Sequence, residues 1–466
     1  MNVEKKVEKH KSPPNGHDWT RGNLTGNLLH LSWPIMVSDA LNTIGPTIDL
    51  IFIGMLGKVS VSAQAGMGIS GNVFLIVILC GIGINMGIRA FVGRYVGAGG
   101  SDDKINHVMA QALIINLIYG AGITAAGIGL AGPILSFFQL EPDVLDFGVA
   151  YMRIAFIGAI PMALHMMCEA FLQASGDTIR PMVLSIIMRV IHVATVPFLV
   201  LGVLTFPGMG VKGAAAAQVL SLFCGAFAGL WLVFTGRSLQ KVSLKKCAID
   251  IKTIWQILRV SLPAMVMFGQ RGFARLILMG LIAPFGTLAV TSWTILQRIE
   301  LFVTMPVFGL GRASGVLVCQ NLGANQPERA AKSAWLSVGL SALCLLISTI
   351  VIFLWPELVI SVFNRNEQLI SICTVYLQIF LISFLFISLD VVLINSLTSA
   401  GDTVVPMLIT LTRMWVISIP LCMVLSKHTL LGGHGVVWGL VAGMIIGSFS
   451  CVGYFMSGRW KRKMLW

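Results

Sequence analysis

Acidic residues that stand in or beside long apolar stretches of this chain include Asp39, Asp49, Glu169 and Asp390. An ionised carboxylate surrounded by hydrocarbon is costly, so one that is retained there has a partner or a function. Asp49 lies in the first apolar stretch and is the leading candidate for holding a proton or another small cation. Asp39 precedes it by ten residues, which on a helix is about 80° around the axis and about 15 Å along it. The two therefore cannot share one ion, and Asp39 is either a second cavity carboxylate or the partner of a helix-borne arginine such as Arg189. His165 and Glu169 are spaced i, i+4 and share a helix face. A metal site there would need a third ligand that no motif supplies, so no metal is expected. His192 and Arg189 are further polar candidates for a cavity, as is Arg271. Arg275, Arg298, Glu300, Arg312 and Arg413 are read mainly as structural charges that snorkel or pair.

The elements that must position these residues follow from composition. Of 466 residues, 56% are apolar and 11% charged, which excludes a soluble globular chain, disorder and collagen. A helix needs about 20 largely apolar residues to cross a bilayer. Seven stretches qualify with no Asp, Glu, Lys or Arg: 59–88, 105–140, 190–211, 213–236, 333–356, 368–389 and 428–458. Five more, 28–56, 147–173, 254–284, 287–316 and 404–427, carry isolated charges. The expectation is an all-α polytopic membrane protein with twelve transmembrane helices. The nine scattered cysteines form no Cys-x-x-Cys or Cys/His cluster and read as reduced apolar filler. No signal-peptide stretch precedes the first span.

With the N-terminus placed in the cytoplasm, the inner segments carry nineteen Lys and Arg and the outer links four. That asymmetry puts both termini inside a plasma membrane. It also assigns most of the net +13 to anionic inner-leaflet lipid rather than nucleic acid. The segments are a cytoplasmic tail (1–27), an N-lobe (28–236), a basic linker (237–253), a C-lobe (254–458) and a basic tail (459–466).

The two halves repeat. Gln173-Ala-Ser-Gly-Asp-Thr-Ile-Arg-Pro-Met182 recurs as Thr398-Ser-Ala-Gly-Asp-Thr-Val-Val-Pro-Met407, and Ser32-Trp-Pro34 as Ser261-Leu-Pro263. Val96-Gly-Ala-Gly99 matches Leu322-Gly-Ala-Asn325, and Tyr151-Met-Arg-Ile matches Tyr376-Leu-Gln-Ile. Two six-helix lobes of the same orientation are expected, with a substrate route between them. In the Gly-Asp-Thr stretches, Gly ends one helix, Asp177 or Asp402 caps the next, and Pro181 or Pro406 enters its first turn. Asp390 falls at the repeat position of His165, which directs it toward the same cavity. No Walker A loop, His-Glu-x-x-His or other catalytic signature interrupts the pattern, so no enzyme is expected.

These motifs, with Ile48-Asp-Leu-Ile-Phe-Ile-Gly-Met-Leu-Gly57, Gln320-Asn-Leu-Gly-Ala324 and Arg413-x-Trp415…Pro420, occur in order from about residue 30 to 450. In this the chain resembles the multidrug and toxic compound extrusion (MATE) family. The resemblance implies a secondary antiporter that exports amphipathic, often cationic, organic compounds by alternating access of two lobes. Its coupling ion would be a proton, with sodium less favoured, and no cofactor is implied. The resemblance puts Asp49 at the family's coupling position and Pro34 at the proline where helix 1 bends. A monomer is expected. Two departures stand out. One branch carries Asn-x-x-x-Asp-Pro in helix 5, where this chain reads His192-Val-Ala-Thr-Val196-Pro197. Another carries a helix-7 Glu paired with a helix-10 Asp, where Arg271 takes the first place and Asp390 lies about a turn from the second. The alternative is a flippase for lipid-linked oligosaccharides of the same superfamily.

Overall fold

The computed structural model describes residues 17–100, 102–203, 206–237, 242–243 and 248–463. Lys5, Lys6, Lys9 and Lys11 of the N-terminal tail and Lys241, Lys245 and Lys246 of the basic linker lie outside the described residues. Helices dominate. They are α1 (Leu24–Gly54), α2 (Ser60–Gly97), α3 (Asp102–Ser136) and α4, which is broken into Pro142–Ile157 and Ala159–Ala174. α5 (Ile179–Leu201) and α6 (Val211–Phe234) complete the first half. α7 (Ile251–Ile282), α8 (Thr287–Gly323), α9 (Pro327–Leu354), α10 (Glu367–Ser399), α11 (Val404–Lys427) and α12 (Gly433–Met456) form the second. Eleven of these are single helices long and apolar enough to cross a membrane, and the bent pair makes a twelfth, among the described residues. The chain is an all-α, multi-pass membrane protein.

The outer surface explains why water is the wrong solvent for it. Large apolar side chains such as Phe227, Leu346, Ile350 and Val416 stand exposed around the bundle, where only hydrocarbon covers them without cost. Inside, α10 is the spine of the second half, packed on α8, α9 and α12. Tyr376, Phe384 and Leu393 of α10 are buried in the largest apolar cluster.

Two helices depart from regularity, and proline accounts for both. α4 bends by 47° at Gly158, because Pro161 has no N–H for the turn before it. α11 carries a π-helical stretch at Thr412–Ser418, immediately ahead of Pro420. α1 holds two interior prolines, Pro34 and Pro46, each removing one helix hydrogen bond.

The halves meet symmetrically. α1 packs on α8, and α2 packs on α7, the pairing that a two-fold along the bundle requires when α1 corresponds to α7 and α2 to α8. At the end that carries both termini the backbones of α2 and α8 touch. A Cβ at Gly97 would overlap the Gln320 carbonyl, and one at Gly323 would overlap that of Arg94. Arg94 donates to the Ala400 carbonyl at 3.0 Å, and Gln320 donates to the Ala174 carbonyl at 2.8 Å. Both pairs of positions are related by the repeat, so each half grips the helix end before the other half's Gly-Asp-Thr turn. Gly176 and Gly401 there have φ of +89° and +87°, the left-handed geometry that favours glycine. Asp177 accepts from the Arg180 backbone N–H as a cap would. Asp402 corrects the capping expectation: it bonds the Tyr454 hydroxyl and Lys463 Nζ instead.

Candidate functional site

Intramembrane charges gather at three places. In the first half, α1 supplies Asp49 and α5 supplies Arg189 and His192. Asp49 and His192 are each 1% exposed, and His192 Nε2 lies 3.1 Å from Asp49 Oδ1. Arg189 Nη1 is 2.9 Å from His192 Nδ1. A guanidinium only donates, so Nδ1 accepts, the imidazole is neutral, and its proton sits on Nε2 facing the carboxylate. The Asp49–His192 contact is off hydrogen-bond alignment, and both Asp49 oxygens are buried without a hydrogen bond. Arg189 reaches this point because residue 45 is glycine: any Cβ there would occupy the space of its guanidinium. The unit is a relay of Arg, neutral His and carboxylate, balanced in charge and incompletely satisfied.

The second place joins the halves. Arg312 of α8 bonds Asp39 of α1, and its Nη1 lies 3.5 Å from Glu169 Oε1 of α4. Gln173 Nε2 donates to the same Glu169 oxygen at 2.8 Å. Arg89 of α2 acts on Glu169 electrostatically, as does His165 one turn away on α4, whose Nδ1 is buried without a partner. One arginine of the second half thus holds two carboxylates of the first. Asp39 has an arginine partner, but it is Arg312 and not Arg189, and this corrects the sequence pairing. Helix periodicity gives the face of each residue and says nothing of which foreign helix lies opposite.

The third place is in the second half. Arg413 Nη1 of α11 is 2.7 Å from Asp390 Oδ1 of α10, with both side chains buried. Arg413 sits in the π-helical stretch and lies along Gly447 of α12, where a Cβ would strike its stem. Arg271 of α7 is within electrostatic reach of Asp390, Arg413, Arg275 and Glu300. Asp390 is therefore an arginine-paired carboxylate, and it shares neither contact nor helix with His165. No group of three His, Cys, Asp or Glu side chains able to hold a metal occurs among the described residues.

Sequence reasoning missed the bridging role of Arg312 and the Arg94 and Gln320 latches. For the latches a signal existed: both are polar residues at equivalent positions of the repeat, just before the matched Gly-Ala motifs.

The MatE family profile matches residues 34–198 and again 263–424, two segments that begin 229 residues apart and end 226 apart. The chain belongs to the MatE family. The double match restates the tandem repeat in the fold. A probable multidrug resistance protein NorM of Thermotoga maritima is 28% identical, the alignment covering 94% of this chain and 93% of that protein. The probable multidrug resistance protein YoeA of Bacillus subtilis is 24% identical, covering 93% of each. A solved MATE structure in the bent conformation superposes with a TM-score of 0.86 at 21% identity, over 95% of this chain and 96% of that one. The chain is accordingly a transporter of the MATE family and not an enzyme.

Proposed function

We propose that this MATE transporter is an antiporter that exports amphipathic organic compounds, cations among them, in exchange for protons. Asp49 is its coupling site, and sodium is the less favoured ion. The observation that carries the reading is the buried Asp49–His192–Arg189 relay, a carboxylate with two unsatisfied oxygens beside an imidazole. Sodium wants several oxygen ligands, and here α5 turns two nitrogen-bearing side chains to Asp49, with the Tyr151 hydroxyl an oxygen-bearing neighbour in electrostatic reach. A proton on Asp49 removes the charge that Arg189 balances. It thereby loosens α5 from the part of α1 that Pro46 has already deprived of a hydrogen bond.

The lobes are 28–236 and 254–458, both termini are cytoplasmic, and the protein works as a monomer. In this orientation the Gly97–Gln320 contact, the two latches and the Arg312 bridge close the cytoplasmic end. Asp39 and Glu169 are their switchable acids, and Pro34 is the point about which the inner part of α1 flexes. The names of the relatives, probable multidrug resistance proteins, support small organic cargo.

The test is transport by the purified protein in liposomes. Efflux of a fluorescent organic cation is expected to follow an imposed pH gradient and to vanish in Asp49→Asn while the variant remains folded. Transport driven by sodium alone overturns proton coupling, and transport under neither gradient moves the flippase reading to the front.

A further inference from the structure

The second half contains an imbalance that pairing does not remove. Among α7, α8, α10 and α11, three arginines (Arg271, Arg275 and Arg413) lie within electrostatic reach of two carboxylates, Asp390 and Glu300. Arg413 is used by Asp390 at 2.7 Å. Arg271 makes no hydrogen bond or ion pair with any described residue; its guanidinium lies 5.2 Å from the centroid of the Phe268 ring, and its Nε is buried without an acceptor. The adjacent Gln270 is 7% exposed. Its Oε1 accepts from Trp415 Nε1 at 3.0 Å, which leaves its Nε2 as a second buried donor with no acceptor. Arg271 is half-buried and shares a helix face with exposed Arg275 one turn on, so this edge of the site opens to the surface of α7 while Gln270 beside it stays buried.

Buried donors without acceptors are costly, and the carboxylates within electrostatic reach of Arg271, Asp390 and Glu300, hydrogen-bond neither Arg271 nor Gln270 Nε2. The missing component has oxygens and negative charge. We propose that this face is a binding site for the anionic group of an amphipathic organic anion. The group is a carboxylate, sulfonate or phosphate on an apolar body, with Arg271 and Gln270 as donors and Phe268 and Trp415 beside the body. Arginine suits the task, since its planar fork binds such groups through two parallel hydrogen bonds. The first half differs: Asp49 there balances Arg189, so the excess of positive charge is confined to one lobe. The proposal rests on the exporter reading for what brings the compound to the site, but binding is measured without transport.

The test uses the full chain in phosphatidylcholine nanodiscs and titrates anilinonaphthalene sulfonate, with neutral N-phenylnaphthylamine and cationic ethidium as comparisons. The sulfonate is expected to bind the wild type saturably and to resist competition by ethidium. Arg271→Gln should raise its dissociation constant about tenfold or more, the loss of a charge-assisted bond. Arg271→Lys, which keeps the charge without the fork, should lose less, and Arg298→Gln, on an exposed part of α8, should bind as wild type. If phosphatidylglycerol in the disc displaces the sulfonate from wild type alone, the site is upheld and a lipid headgroup is its occupant. Equal binding by wild type and Arg271→Gln, or displacement by ethidium at the same concentration, overturns the proposal. Sulfonate binding that survives a failure of gradient-driven transport would sink the antiporter reading and leave this site standing.

Discussion

Arg312→Gln is the most informative single change, because one side chain joins the two halves. Arg312 is 18% exposed, against 23% for Asp39 and 12% for Glu169. Breaking a fully buried pair costs about 3 to 5 kcal/mol, and partial exposure reduces this to about 2 to 3 kcal/mol. The loss falls on the state in which α1 and α4 meet α8, and it shifts the closed-to-open ratio about 30- to 150-fold. Cys319 reads that ratio. It is 1% exposed and lies against Gly93 of α2, so it meets solvent only when α2 and α8 part. With the other cysteines replaced by alanine, maleimide labelling of Cys319 should accelerate by that factor in Arg312→Gln, since reactivity follows the open population. Asp39→Asn should give a smaller acceleration, because Glu169 still engages the arginine. Asp39→Asn/Glu169→Gln/Arg312→Gln removes the three charges of the bridge together, with Arg89 the one charge that loses a neighbouring carboxylate, and should return part of the way toward the wild-type rate. Labelling of Arg312→Gln at the wild-type rate, or of the triple variant as fast as the single, would refute the reasoning.

Further outcomes follow from the same geometry. Gly97→Val places its side chain on the Gln320 carbonyl and should hold the α2–α8 end apart, seen as fast Cys319 labelling even with Arg312 intact. Gln320→Ala and Arg94→Ala remove equivalent latches and should each accelerate labelling severalfold; a change in only one of them would break the symmetry argued for the halves. Gly45→Ala drives Arg189 away from His192 and should impair transport as Asp49→Asn does, while leaving Cys319 labelling unchanged. At the start of α7, the Thr253 hydroxyl and then His107 hold the Asp250 carboxyl down to about 2. Its stabilising contribution is complete above the ordinary carboxylate range and is lost as pH falls toward that value. The stability of Asp250→Ala in detergent should therefore fall less than that of wild type between neutral pH and about 3.

Much of the architecture was legible because a bilayer imposes one rule, a long apolar helix for each crossing. The boundaries were less so. Charge-free stretches ended at the first charge, whereas α2 runs on to Gly97 and α10 to Ser399, because Arg94 and other polar residues find carbonyl and side-chain partners within the bundle. The break in α4 was written in Gly158 and Pro161. The acids were found as isolated carboxylates in apolar sequence, and the arginines opposite them were found too. Which met which was not legible, since the meeting of α1 with α8 depends on how two copies dock. Asp39 with Arg312 and Asp390 with Arg413 are products of that docking and of the π-helical turn. The unsatisfied donors of Gln270 and Arg271 are visible only once every neighbour is placed.

The central claim is exchange at Asp49, and reversal tests it most directly. Lumenal pH and a fluorescent organic substrate would be followed in the same vesicles while the substrate gradient, with no imposed pH gradient, is the driving force. The account predicts that substrate movement in one direction drives protons in the other, that inverting the substrate gradient inverts the pH change, and that Asp49→Asn abolishes the proton flux. Substrate movement with no opposing proton flux, or a proton flux undiminished in Asp49→Asn, would contradict it.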